Sequence, residues 1–352
     1  MTLHRRHLLR VASAGLASAT AALNQPALAQ PAIIRARIPL KFSLNLPYNG
    51  TNLAFLYGRE RGVFADEGFE LTAMDPASGA DATTRVASNT YDVAFSDVTS
   101  LADFHARQPD ACPLAVFNIF KSTPAAIISW KSEHIATPAD LVGKTLGGPL
   151  TDNGYLLFPS FARVNHLDPA AVKFDNVDLR VREAMFLRHG VAGVTGYDST
   201  VWLNLKNLGV KFEDISILYY ADFGLDLYSN SILLSRKFLR DQEAAIPALL
   251  RACATCWIEA SKDPAAATAS LTRTDKMANA AIEQERFEWV LRHQVLGAET
   301  STLGLGGLDP ARLQRGLAIL DESAGRGTPT PVSAVWSDAW LPPPAERYRP
   351  PR

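Results

Sequence analysis

From residue 40 onward, short apolar runs alternate with stretches of helical periodicity. This alternation, more than any other feature, confines the chain to an open α/β architecture with right-handed crossovers. Strands are expected at 41–46, 69–74, 91–95 and 114–120, with helices at 52–61, 80–88 and 98–107 between them. The last of these strands is nearly all apolar, as befits a strand covered on both faces of a parallel sheet. The pattern then restarts. Strands are expected at 125–130, 145–147, 172–177, 193–196, 215–220 and 230–234, with helices at 155–165, 182–188 and 199–208. Helices dominate from 237 to 319, and a tail rich in Pro, Gly and Thr follows from Gly325, with Trp336 and Trp340 packing it onto the surface. Two α/β units in series, with the chain returning to the first, imply two lobes, each a mainly parallel sheet flanked by helices, with a cleft between them. The crossings fall near 120–123 and 220–225. That gives one lobe from 38–121 plus 222–352 and another from 122–221.

The first 29 residues read as an export signal. Arg5, Arg6 and Arg10 form a basic start, a mildly apolar stretch follows, and Ala27-Leu28-Ala29 is a small-x-small cleavage site, so the mature chain begins near Gln30. The paired arginines suit the twin-arginine route, and an ordinary Sec signal is the alternative. No later segment offers some eighteen uninterrupted apolar residues. The expected protein is therefore periplasmic, exported, soluble and monomeric.

Formal net charge is −1 over 352 residues. There is no basic footprint for nucleic acid. The three cysteines are Cys112, Cys253 and Cys256. The Cys253–Cys256 spacing matches a redox motif, but the pair lies within the helical pattern 246–261, where thiols act as small apolar groups. No metal site and no cofactor are expected, because no histidine stands at ligand spacing from the pair. Nor is there a Gly-x-Ser-x-Gly elbow for a hydrolase.

In open α/β sheets, ligands bind outside the carboxyl ends of the strands. Two facing lobes bring two such edges together. The first lobe offers Asn45, Tyr48 and Asn52, then Ser78 and Gly79, then Ser96 and Asp97. The second offers Thr151, Asp152 and Asn153, then Tyr197 and Asp198. Thr123, Asp222 and Phe223 lie near the crossings. Structural roles compete with each assignment. Ser78, Ser96, Asp97, Asp152 and Asp198 suit helix caps, Tyr48 and Tyr197 suit packing between lobes, and Asp222 suits a surface ion pair. Caps and ligand contacts are compatible, since free N–H groups at a helix start bind anions. Tyrosine faces with carboxylates favour a flat, nitrogen-bearing ring over a sulfonate or nitrate, which the carboxylates would repel.

Three stretches carry a family resemblance. Residues 55–71 (FLYGRERGVFADEGFEL) place a helix end, Gly62 and Phe64 before an acidic-Gly turn and a strand; 86–94 (VASNTYDVA) and 135–147 (IATPADLVGKTLG) follow in order, and 221–228 (ADFGLDLY) adds a fourth block. Together they resemble the solute-binding proteins of nitrate, sulfonate, taurine and thiamine-precursor importers over about residues 38–320. The resemblance implies the two-lobed type II periplasmic-binding fold, hinge closure on a small heterocyclic or aromatic nutrient, and an ABC permease with its ATPase as partners. It implies no catalysis. An alkylsulfonate, taurine or nitrate-type anion is the alternative ligand, and a membrane sensor kinase the alternative partner. An enzyme relative that makes the thiamine pyrimidine would need a cysteine cluster, which this chain lacks.

Overall fold

The computed structural model describes residues 36–343, 346 and 347. The expected export signal lies outside them. Among the described residues, ten strands form two five-stranded sheets. The first contains β1 (Ile38–Ser43), β2 (Phe69–Asp75), β3 (Val93–Asp97), β4 (Leu114–Asn118) and β10 (Asn230–Leu234), in the order β2-β1-β3-β10-β4. The second contains β5 (Ala125–Trp130), β6 (Thr145–Gly148), β7 (Lys173–Asn176), β8 (Gly193–Tyr197) and β9 (Ile215–Tyr219), in the order β7-β6-β8-β5-β9.

Both sheets are mixed in the same way. In the first, β1 pairs parallel with β2 and β3, while β10 runs antiparallel between β3 and β4. In the second, β6 pairs parallel with β7 and β8, while β5 runs antiparallel between β8 and β9. Each reversed strand is the first to follow a passage from the other sheet. The chain crosses between Asn118 and Ala125 and returns between Tyr219 and Asn230. Sharing one direction among the other four strands of each sheet puts their carboxyl ends, and the loops leaving them, on one edge.

Several boundaries shift from the sequence reading. β1 begins at Ile38, whose N–H donates to Gly68 O, and stops before Leu44, so Asn45 belongs to the following loop. β3 runs on through Ser96 and Asp97, and the helix after it starts at Ser100. The helix expected at 155–165 is two pieces, Asn153–Leu156 and Phe158–Val164, the second with Pro159 in its first turn. The tail carries a short helix, Val332–Val335, before Trp336 bridges to Ala115 of β4. Gly62 and Gly68 hold φ of 75° and 91°, the left-handed turns that flank the second helix of the first lobe.

The first lobe's core is aromatic. Phe55 lies 4.9 Å from Phe42, 5.1 Å from Phe95 and 6.0 Å from Trp257, ring centre to ring centre. Trp257 comes from Ile246–Lys262, a helix that buries Cys253 and Cys256. A Cβ on Gly58 would stand 2.1 Å from Cys256 Sγ, so that thiol fills the space a missing side chain leaves. The second lobe packs around Ile127, Leu146 and Phe158, with Phe161 stacked on Tyr220 at 4.3 Å.

The first crossing is pinned by the C-terminal helices. Lys121 N–H donates to Gln294 O at 2.7 Å, and Lys121 O accepts from Arg312. The Lys121 ammonium is buried and donates to the carbonyls of Asn118 and Gly307. Burial lowers its pKa to about 7, against a pull upward from Glu299. An unfolded lysine keeps its proton to about pH 10.4. Between these values the unfolded chain holds the extra proton, so this group's contribution to stability rises with pH. Urea unfolding of wild type and Lys121→Met at pH 7 and 8.5 checks this. The stability difference should move in favour of wild type as pH rises, and a difference independent of pH would contradict it.

Candidate functional site

A cleft of about 580 Å³ lies between the two sheets, within the size range of small-molecule sites. The loop after β1 supplies Asn45, Leu46 and Pro47, and the loop after β2 supplies Ser78, Gly79 and Asp81. Asp97 at the end of β3 and Asn230 at the start of β10 complete that wall. Opposite them are Pro149, Thr151, Asp152 and Asn153 after β6, then Asp178, Leu179 and Arg180 after β7, and Tyr197 and Thr200 around the end of β8. The site therefore sits where parallel strands place their carboxyl ends.

Asp97 is its centre. The residue is 2% exposed, and its carboxylate accepts five hydrogen bonds. Oδ1 takes the N–H and hydroxyl of Thr99, both at 2.8 Å. Oδ2 takes Ser229 Oγ at 2.8 Å and, from the second sheet, Asn153 Nδ2 at 2.7 Å and the Tyr197 hydroxyl at 2.9 Å. Burial raises the carboxyl pKa, and the bonds from Thr99, Ser229 and Tyr197 work against that rise. The Tyr197 phenol is pushed well up by burial and by the Asp97 charge, so it stays a donor.

The loops around this knot are braced locally. Asn52 is buried and donates to Leu46 O and Pro47 O, holding the β1 loop in shape. Gly50 N–H donates to Glu283 Oε2 at 2.6 Å. A Cβ there would approach Glu283 O to 2.4 Å, which explains the glycine. Glu283 pairs with Arg286, whose guanidinium also donates to Ser199 O and Thr200 O at the start of the helix Asp198–Asn207. The helix Ala280–Val290 thus ties one wall of the cleft to the other. Asp152 caps Asn153–Leu156 through Gly154 N–H at 2.8 Å. Ser78 caps Gly79–Ala87 and donates to Asp81.

Eight candidates read from the sequence meet in this cleft: Asn45, Ser78, Gly79, Asp97, Thr151, Asp152, Asn153 and Tyr197. The other seven lie outside its lining. Tyr48 packs on the first core and donates to Met74 O. Asn52 is the loop brace just described. Ser96 donates inward to Gly79 O. Thr123 accepts from Ala125 N–H at the first crossing. Asp198 is buried toward the C-terminal helices, accepting Trp289 Nε1 at 2.7 Å. Asp222 is exposed, and Phe223 packs on the second core. Sequence reasoning missed Asp178, Leu179 and Arg180, although the same rule, applied to the loop after β7, points to them. It also missed Thr200 and Asn230. The ring surface is smaller than expected, because Tyr197 is the one aromatic among the described residues of the lining; Pro47, Pro149, Leu46 and Leu179 supply other apolar faces.

Three polar atoms buried at this site, Asn45 Oδ1, Asn230 Nδ2 and Thr200 Oγ1, have no hydrogen-bond partner among the described residues. Buried groups of this kind are nearly always paired in folded proteins, with protein or with ordered water, so an acceptor, a donor and a hydroxyl are open here to a water or a polar ligand. No group of three or more metal-binding side chains occurs among the described residues, and none of their helices is long and apolar enough to cross a membrane.

The fold and cleft define a two-lobed periplasmic-binding-protein fold. The periplasmic aliphatic sulphonate-binding protein SsuA from Escherichia coli superposes with a TM-score of 0.66 at 13% identity, over 86% of this chain and 99% of its own. The alkanesulfonate-binding protein SsuA from Xanthomonas axonopodis pv. citri, bound to MOPS, gives 0.61 at 15% identity over 86% and 98%. A formylaminopyrimidine-binding protein from Halalkalibacterium halodurans is 24% identical over 269 residues, which is 76% of this chain and 80% of that relative. The family described as NMT1/THI5 like matches residues 49–267, well over half of the chain, and the chain belongs to that family.

The Asp97 knot makes a checkable prediction. Tyr197→Phe and Asn153→Ala each remove a donor that reaches across the cleft, whereas Ser229→Ala removes one from the return segment leading into β10. Losing a bond to a buried charge costs about 1.5–3 kcal/mol. By small-angle scattering the first two variants should have a larger radius of gyration than wild type, and Ser229→Ala should not. Equal radii throughout would contradict a latch between lobes.

Proposed function

We propose that this chain is the periplasmic substrate-binding component of an ABC-type importer, and that it closes about its hinge on a small nitrogen heterocycle or aromatic nutrient resembling a thiamine precursor. Catalysis has no part in this reading. The lobes would be 38–121 plus 222–352 and 122–221, moving about the two crossings. The observation that carries the ligand class is one cleft holding an acceptor of Asn45 and a donor of Asn230 that have no partner among the described residues. An amino-substituted heterocycle presents a donor and an acceptor on adjacent atoms of a single edge, and its faces suit Pro47, Pro149, Leu179 and Tyr197. The similarity to a formylaminopyrimidine-binding protein supports the same class. A hinge couples this recognition to transport, because ligand shifts the open–closed balance by its difference in affinity for the two forms.

A sulfonate, taurine or nitrate-type anion is the second reading. Arg180 in the cleft lining and the capped start of Gly79–Ala87 favour it, as does the fold shared with sulfonate binders.

A thermal-shift screen of the mature chain separates them. Ligand at 100 times its Kd stabilises by about 2.7 kcal/mol, enough to raise Tm by several degrees in a protein of this size. Aminopyrimidines should produce that rise while taurine, alkanesulfonates and nitrate leave Tm unchanged. Stabilisation by taurine with no response to any ring compound would overturn the preference.

A further inference from the structure

We infer that the ligand enters this cleft as a cation, carrying a protonated amino group. This deepens the heterocycle reading and rests on it.

Four carboxylates border the cleft, Asp81 and Asp97 on one side and Asp152 and Asp178 on the other, against the single guanidinium of Arg180. Counting charges is not enough, since Asp97 is satisfied by five neutral donors. Asp152 is not. One of its oxygens accepts Gly154 N–H, while the other lies 3.9 Å from Arg182 Nη1, beyond hydrogen-bond reach. Arg182 is committed elsewhere. Its Nε and Nη2 donate to Glu183 Oε1, and its Nη1 donates to Thr195 O. Two carboxylates therefore share one fully buried guanidinium, and Asp152 is the one left facing the cleft. Burial raises its pKa, with Arg182 the main counterweight. The Asp152 side chain is 21% exposed, and its second oxygen, with no hydrogen bond at 3.9 Å from Arg182, is open to a positive group in the cleft.

The opposite wall carries an independent sign of the same chemistry. Asn45 is 3% exposed, lines the cleft, and its Oδ1 has no partner among the described residues. An open acceptor on one lobe and an under-compensated carboxylate on the other suit a nitrogen cation with several N–H groups between them. A sulfonate in that place would add a third negative charge beside Asp97 and Asp152. Asp81 and Asp178 are exposed at the rim, where they add little affinity but draw cations toward the opening.

Calorimetric titration of the mature chain at pH 7 tests this with three 4-amino-2-methylpyrimidines that differ at position 5: aminomethyl (an ammonium), hydroxymethyl and sulfomethyl. The aminomethyl compound should bind at least tenfold more tightly than the hydroxymethyl compound. Asp152→Asn, which keeps an N-cap side chain, should cut that preference to under threefold; Asp178→Asn, on the exposed rim, should reduce it less. Equal or tighter binding of the hydroxymethyl compound, or a preference unchanged in Asp152→Asn, overturns the cation inference and leaves the heterocycle reading standing. Binding by taurine with no binding by any of the three pyrimidines overturns both, as does tightest binding by the sulfomethyl compound together with taurine. Failure of all three pyrimidines without taurine binding overturns the inference as well.

Discussion

A buried carboxylate that accepts hydrogen bonds from both sheets organises this molecule. Asp97 stands at the end of β3 with no ion pair among the described residues, and its charge is tolerable because donors converge on it. Two of those donors come from the far side of the cleft. If the lobes separate, Asn153 and Tyr197 leave, and water must replace them. The same group thus sets the inner end of the cleft and links its shape to the distance between lobes.

The rest of the fold delivers parts to that point. The antiparallel insertion of β10 beside β3 brings Ser229 and Asn230 next to Asp97, so the return crossing is part of the site. On the flank, Glu283 and Arg286 join Gly50 to Ser199 and Thr200, so that a helix remote in sequence governs two binding loops at once. These connections are strong because they are charge-assisted and buried. The bonds of Asn153 and Tyr197 to Asp97 and of Arg286 to Ser199 and Thr200 run between lobes, whereas the brace of Asn52 on Leu46 and Pro47 lies within one loop.

How much of this was legible in the sequence follows from what local patterns encode. Periodicity and turn residues placed the strands 125–130 and 230–234 at their observed limits and showed the alternation restarting after 120. The rule that ligands sit at strand carboxyl ends then brought in Asp97, Asp152, Asn153 and Tyr197. Direction within a loop was not legible. Tyr48 and Asn45 sit three residues apart in one loop, yet Tyr48 turns to Met74 O and Asn45 to the cleft, a choice made by tertiary packing. Asp198 follows Tyr197 directly and points the other way, drawn by Trp289 and Gln294 from a helix ninety residues on in the chain. Arg286 had no local signal at all. Its role exists only once Ala280–Val290 lies against Asp198–Asn207.

In the proposed function, ligand draws the lobes together through Asp97. Pulsed electron-spin distance measurements with labels at Glu70→Cys and Lys173→Cys, exposed positions on the two sheets, test it most directly, because the native cysteines described here are buried. With a ring ligand that raises Tm, the distance distribution should shorten and narrow, and Asp97→Ala should abolish the change. Identical distributions with and without bound ligand would contradict the account.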